Sequence, residues 1–181
     1  MFFEGPVRDL PGRAPGAPRL KPLRFRECCR SRLATPMPRK LVCAKQFDPT
    51  VFMGESWSTA EEDERADRLP EIDVSAIALV NCLKNQDQRP TGDHCVKLLK
   101  DTPYVRLGGR AFLGLWENQS LIPDNWRKPL TFVYFDGLIL KHRNGNRYSL
   151  YLSWHDDQWH WYSAWLGNTR SATSPSAVLA A

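Results

Sequence analysis

From residue 130 to residue 166 apolar and polar residues alternate, and the alternation is punctuated by Asp136-Gly137, Asn144-Gly145 and Asp156-Asp157. A period of two marks a half-buried strand. Asp-Gly or Asn-Gly between such runs marks a two-residue hairpin, because both central residues of a type I′ turn need positive φ. The segment therefore predicts a four-stranded antiparallel β-meander whose core is aromatic, with Trp154, Trp159, Trp161 and Trp165 in its last third.

With three two-residue turns, the pairing follows by arithmetic. Phe135 faces Leu138 and Val133 faces Leu140 across the first turn, and Ile139 faces Leu150 and Leu138 faces Tyr151 across the second. Across the third turn Trp154 faces Trp159, Leu152 faces Trp161 and Tyr148 faces Trp165. One face then gathers Phe132, Tyr134, Ile139, Tyr148, Leu150, Leu152 and the four tryptophans as the core. The other face carries Val133, Phe135, Leu138 and Leu140 at one end, and Ser149, Tyr151, Ser153, His160 and Tyr162 at the other. Apolar surface mixed with hydroxyls and an imidazole suits either a binding surface or a face covered by another segment.

Upstream, Thr91 is a fitting N-cap for a helix to about Asp101, with Val96 and Leu99 inward and Pro103 as its stop. A second helix is predicted from about Arg110 to Asn118, opening at Gly108-Gly109. Ile72–Leu83 fits a buried strand or a short helix, and its β-branched residues favour strand. The fold class expected is α+β, with the two short helices, and an extra strand if Ile72–Leu83 is one, packed on one face of the meander.

The charge is concentrated. Residues 1–36 hold eight basic and three acidic residues, which accounts for the whole formal excess of +5. The remainder is neutral and has no long-range field to draw in phosphates, so nucleic acid is expected only through residues 1–40. Residues 1–46 are expected to be a disordered basic segment, rich in proline over 1–38 and without a core-forming period. Residues 1–36 are also compatible with a start misplaced upstream of Met37. Residues 47–70 are expected as a docking arm followed by an acidic linker, 71–168 as one α+β domain, and 169–181 as a flexible tail.

The five cysteines are odd in number and lack CxxC or zinc-ligand spacing, which favours reduced thiols and a cytoplasmic setting. The sequence shows no signal-peptide stretch and no apolar run long enough for a membrane span, so no membrane partner is expected. It contains no GxSxG, P-loop, GxGxxG or HExxH motif, and no cofactor, metal ligand or catalytic residue is assigned. The candidate binding residues are Tyr151, Ser153, His160 and Tyr162, with Trp126 as a further aromatic platform. The reading that fits best is a non-catalytic binding or protein-interaction module whose partner is an unidentified protein or small molecule. The alternatives are a carbohydrate- or nucleobase-binding domain using exposed aromatics, and a hydrolase using His160 with Ser153 or the Asp156/Asp157 tip.

Phe47–Ser58, Leu115–Pro123 with Trp126, Phe132–Leu140, Asn146–Asn168 and Pro175–Ala180 together resemble an uncharacterised family of small proteins predicted in reduced-genome, candidate-phylum bacteria. The resemblance covers about residues 37–181, with a shorter loop around Lys128-Pro129. It implies no activity and transfers no catalytic residue, and it implies a natural start near Met37. Removal of residues 1–36 is expected to shift unfolding free energy by less than about 1 kcal/mol. A larger loss in a denaturant titration would mean that the segment contributes to the folded domain.

Overall fold

The computed structural model describes residues 39–43, 45–83 and 89–180, all within the unit Met37–Ala181. The expectations for residues 1–38 lie outside them. β1 (Lys40–Val42) pairs antiparallel with β3 (Glu71–Asp73), bringing the buried side chains of Leu41 and Ile72 opposite each other. Between them, the Asp48 carboxylate accepts from the amides of Thr50 and Val51 and starts α1 (Pro49–Met53). β2 (Trp57–Glu62) then joins the main sheet, and Asp63 caps α2 (Glu64–Asp67).

Two expectations are corrected here. Lys40–Val42 is a strand rather than part of a disordered segment, and residues 47–70 are folded elements rather than an arm and a solvated linker. The acidic run is ordered because its carboxylates meet cations. Glu61 pairs with Lys100 and Arg106, while Asp63, only 6% exposed, pairs with Arg65 and Arg106.

Ile72–Leu83 is extended at both ends of a single 3-10 turn over Val74–Ala76, with β4 (Ile77–Val80) after it. α3 (Gly92–Lys100) begins where Thr91 accepts from the His94 amide, and it buries Val96 and Leu99. β5 (Val105–Arg106) leads into α4 (Gly109–Glu117), which buries Ala111, Phe112 and Leu115.

The meander has three strands, not four: β6 (Phe132–His142), β7 (Arg147–His155) and β8 (Gln158–Trp165). Together with β9 (Ser176–Leu179) they form a seven-stranded sheet ordered β4-β9-β6-β7-β8, with β2 added to β6 and β5 to β9. Asp136-Gly137 is no turn; β6 runs straight through it. A Cβ on Gly137 would sit 2.1 Å from the Arg106 carbonyl oxygen, so this glycine serves the close approach of another backbone. The Gly137 amide donates to Leu107, and its carbonyl accepts from Asp63. At this point the flank of β6 passes from β9 to β2, and an irregularity between Tyr134 and Ile139 reverses the side-chain alternation. Val133, Phe135, Leu138 and Leu140 therefore share one face, as expected, but that face is the core.

The second turn explains why. His142 and Asn146 bracket a three-residue loop with Gly145 at φ 88, so the register is one residue off the two-residue expectation. Ile139 meets Ser149 and Leu140 meets Tyr148. A one-residue slip exchanges the faces of a whole strand. Phe132, Tyr134 and Ile139 consequently lie opposite Leu150 and Leu152 rather than beside them. The third turn has Asp156 and Asp157 at φ 51 and 58, and it pairs Trp154 with Trp159, Leu152 with Trp161 and Tyr148 with Trp165, in the expected register. Trp165 is nevertheless exposed rather than core.

The two longer helices flank opposite faces, which corrects the single-face arrangement. α4 packs on Val133, Phe135, Leu138, Leu140, Leu150 and Leu152, whereas Val96 of α3 packs on Ile139 and Leu166. The flexible-tail expectation for residues 169–181 also fails. β9 sits between β4 and β6, with Ala177 and Val178 fully buried. Nothing in its short, weakly polar sequence signals an inner strand until its neighbours are known. Truncation after Ser174 is expected to abolish cooperative folding, because it removes an inner strand and leaves the edges of β4 and β6 open. Retention of a sharp thermal transition by circular dichroism would contradict this.

Candidate functional site

β6, β7 and β8 carry a row of aromatic rings on the face away from α4. Tyr134, Tyr151 and Tyr162 are cross-strand neighbours, with Tyr134–Tyr151 centroids 5.0 Å apart and Tyr151–Tyr162 5.4 Å apart at 27°. Phe132 meets Tyr151 edge-on. Toward the hairpin tip His155 lies flat on His160, with centroids 3.7 Å apart and planes within 6°. His155 Nε2 is 3.0 Å from the Tyr162 hydroxyl, and its Nδ1 is 3.2 Å from Asp156. The strands set this order directly, because side chains opposite one another on an antiparallel pair are close enough to interact.

The ladder stands on a buried ion pair. Asp136, wholly buried on β6, receives both terminal nitrogens of Arg170 at 2.6 and 2.7 Å, together with the hydroxyls of Ser149 and Ser176. Burial pushes the Asp136 carboxyl up. The Arg170 charge and the hydrogen bonds from Arg170, Ser176 and Ser149 outweigh it and hold the group below its ordinary range. Burial lowers the Arg170 pKa, but the Asp136 charge and hydrogen bonds outweigh it and leave the guanidinium more firmly protonated than usual. The same guanidinium lies 3.8 Å from the centre of the Tyr134 ring and so fixes the inner end of the ladder. Burial raises the Tyr134 hydroxyl to about 12, keeping it neutral.

Of the residues expected at the site, Tyr151, Ser153, His160 and Tyr162 lie together on this face, and Trp126 does not join them. Trp126 is 3% exposed within the main core and offers no platform. Tyr162 is exposed, Tyr151 and His160 are half-buried, and Ser153 is buried. Ser153 and His160 oppose each other in register, yet no side-chain hydrogen bond joins them among the described residues. His160 Nε2 is buried without a partner among those residues. A serine activated by histidine needs that contact and an acid to orient the ring. Asp156 contacts His155 instead, so this arrangement gives no nucleophile–base–acid relay.

Phe132, Tyr134, His155, Asp136 and Arg170 complete the site and were assigned elsewhere or passed over by sequence reasoning. The slip at the second turn hid the first two. The signal for Arg170 was present: it is the only Asp, Glu, Lys or Arg after Asp157. An isolated charge in such a stretch calls for a partner when the stretch is buried.

A concavity of about 510 Å³ lies apart from the ladder, between α1 and α4, and is lined by Phe47, Val51, Phe52, Leu113 and Trp116 among others. Of its polar lining, Asp48 caps α1 and Lys45 pairs with Glu117 at 2.6 Å, while Gln46 also faces it. Apart from Gln46, it offers few polar groups to orient a ligand. Among the described residues no group of three or more His, Cys, Asp or Glu is placed to hold a metal ion, and no helix is long and apolar enough to cross a membrane. The nucleic-acid expectation rests on residues 1–40, of which 1–38 lie outside the described residues; Lys40 pairs with Glu71. Compared with known protein families, curated proteins and solved structures, the chain matches none.

Replacing Asp136 by Ala would leave the Arg170 charge buried and unpaired, with an expected cost of about 3–5 kcal/mol. The pH dependence has a definite sign. A carboxyl depressed in the folded state contributes stability that is complete above about pH 4 and is lost as pH falls through the folded value. Denaturant titrations of the wild type are expected to show stability falling below that pH, with a shallower fall in Asp136→Asn. Equal acid slopes in the two proteins would show that Asp136 is not the linked group.

Proposed function

We propose that this chain is a non-catalytic binding module whose working surface is the sheet face bearing Tyr151, Ser153, His160 and Tyr162. The observation that carries this reading is Tyr162. It is 41% exposed, yet its ring is stacked against Tyr151 and its hydroxyl is held by His155. An aromatic side chain fixed in place and left open to solvent binds with little further loss of conformational freedom.

The chemistry of the face narrows the partner. Asp136 and Arg170 neutralise each other beneath it, and the ladder itself offers phenol hydroxyls and imidazole nitrogens. Among the described residues the ladder itself has no Lys or Arg to meet a phosphate, so an uncharged polar ligand or a polypeptide suits it better than nucleic acid. Tyr151 has Tyr134 and Tyr162 on either side, which leaves Tyr162 as the ring available to stack on a sugar or base. The carbohydrate and nucleobase alternative is thereby reduced to a single platform.

Tyr162→Ala is expected to melt within about 1 kcal/mol of wild type, whereas Trp161→Ala, packed on Phe52 and Phe112, should cost about 3 kcal/mol. Imidazole resonances of His155 and His160 would be followed during titration with a neutral trisaccharide, a nucleoside and an extended peptide rich in aromatic residues. Shifts at these imidazoles that disappear in Tyr162→Ala are the expected result. Shifts confined to the Phe47/Phe52/Trp116 cleft, or a Tyr162→Ala protein that unfolds as readily as Trp161→Ala, would refute the assignment.

A further inference from the structure

Among the described residues four strands of the sheet pair on one flank only, and they are treated differently. β5 is only two residues long. β4 is a four-residue strand. β2 is interrupted by an irregularity between Thr59 and Glu61 and carries two glutamates. Short length, bulges and charges are the usual means of keeping edges from pairing. β8 has none of them. Its eight residues, Gln158–Trp165, contain no proline, no formal charge and no register break.

The outward backbone of β8 can be identified. The Leu166 amide bonds to Arg147, so Leu166 and Arg147 form a hydrogen-bonded pair. By the alternation of antiparallel ladders, Trp159, Trp161, Ser163 and Trp165 then point their amides away from β7. Among the described residues these amides have no backbone partner. The same strand carries both aromatic residues among the exposed large hydrophobics, Tyr162 at 41% and Trp165 at 46%.

Resting on the reading of this face as the working surface, we infer that its partner is a second copy of the chain, joined by antiparallel pairing of β8 with β8 across a two-fold axis at Tyr162. Only the odd-numbered residues turn their backbone groups outward, the Trp165 carbonyl already accepting from the Asn168 amide, so the two strands must pair odd with odd. Centring on Tyr162 sets Trp161 against Ser163 and Trp159 against Trp165, and the outward amides of Trp161, Ser163 and Trp165 all meet open carbonyls. Tyr162 then meets its own counterpart, which joins the two tyrosine ladders into one. Trp165, exposed in the single chain, gains an aromatic neighbour. The absence of charge along β8 removes the like-charge repulsion that self-pairing in register would otherwise create.

The full chain would be studied by sedimentation equilibrium over a wide concentration range. Twice the chain mass is expected, falling to the single-chain mass in Ser163→Pro, which removes an outward amide not used by β7. Tyr162→Lys sets two ammonium groups across the axis and should also give the single-chain mass. Amide exchange of wild-type Trp161 and Ser163 supplies a readout that does not depend on any variant folding. Protection that is lost on dilution supports the dimer. A wild-type chain of single mass throughout, with fast exchange at those amides, would overturn it. So would a dimer that persists in folded Ser163→Pro and Tyr162→Lys. A single-mass wild type whose imidazoles still shift with a probe would refute the dimer alone and leave the binding face standing. Dimer formation in a protein whose imidazoles respond to no probe would support the dimer and remove the case for a separate ligand.

Discussion

Asp136 is the point at which the separate pieces of the sheet meet. Its carboxylate takes hydrogen bonds from Ser149 on β7, from Ser176 on β9 and from Arg170 in the segment leading to β9. A bare carboxylate at that depth would be prohibitively costly, and a guanidinium buried alone would be no better. Each is tolerable because the other is present with matching geometry. The C-terminal strand therefore docks where Arg170 can reach Asp136, and Tyr134 takes its place against the far side of the same guanidinium.

The neighbouring Gly137 completes this junction. It lets the backbone of residues 106–108 come against β6 where the flank changes from β9 to β2. The change brings a break in alternation, and the break keeps Phe135 and Leu138 in the same core. Arg106 repeats the principle on the other side of the crossing, since its buried guanidinium holds Glu61 and also donates to the carbonyl of Asp136. Charge pairing and close backbone approach do in this region what a hairpin would do in a simple meander.

The two sheet faces then take different work. The α4 face carries the large apolar core, whose mutual packing holds the domain together. On the other face, α3 packs against Ile139 and Leu166, and the tyrosine ladder continues to the open edge of β8. Because the ladder is anchored at Tyr134 by the buried pair and at Tyr162 by His155, its outer residues are ordered without being part of the main core.

Local chemistry was enough to specify several elements. Thr91 marked the start of α3, Gly108-Gly109 the start of α4, and Asp156-Asp157 the one turn whose register came out as expected. In each case the signal and its structural consequence are a few residues apart, within reach of a cap or a turn. Tyr151, Ser153, His160 and Tyr162 fell on one face because β7 and β8 are joined by that turn. Asp136-Gly137 misled for the opposite reason: the same dipeptide serves a tight turn or a buried pair beside a close approach, and the choice depends on Arg170 and Arg106, both distant in sequence. The position of β9, the burial of Trp126 and the opposite placement of α3 and α4 were likewise decided by tertiary contacts. Hydrophobic periodicity reports that a strand has a buried side, but what lies against that side is set by packing and charge pairing between segments far apart in the chain.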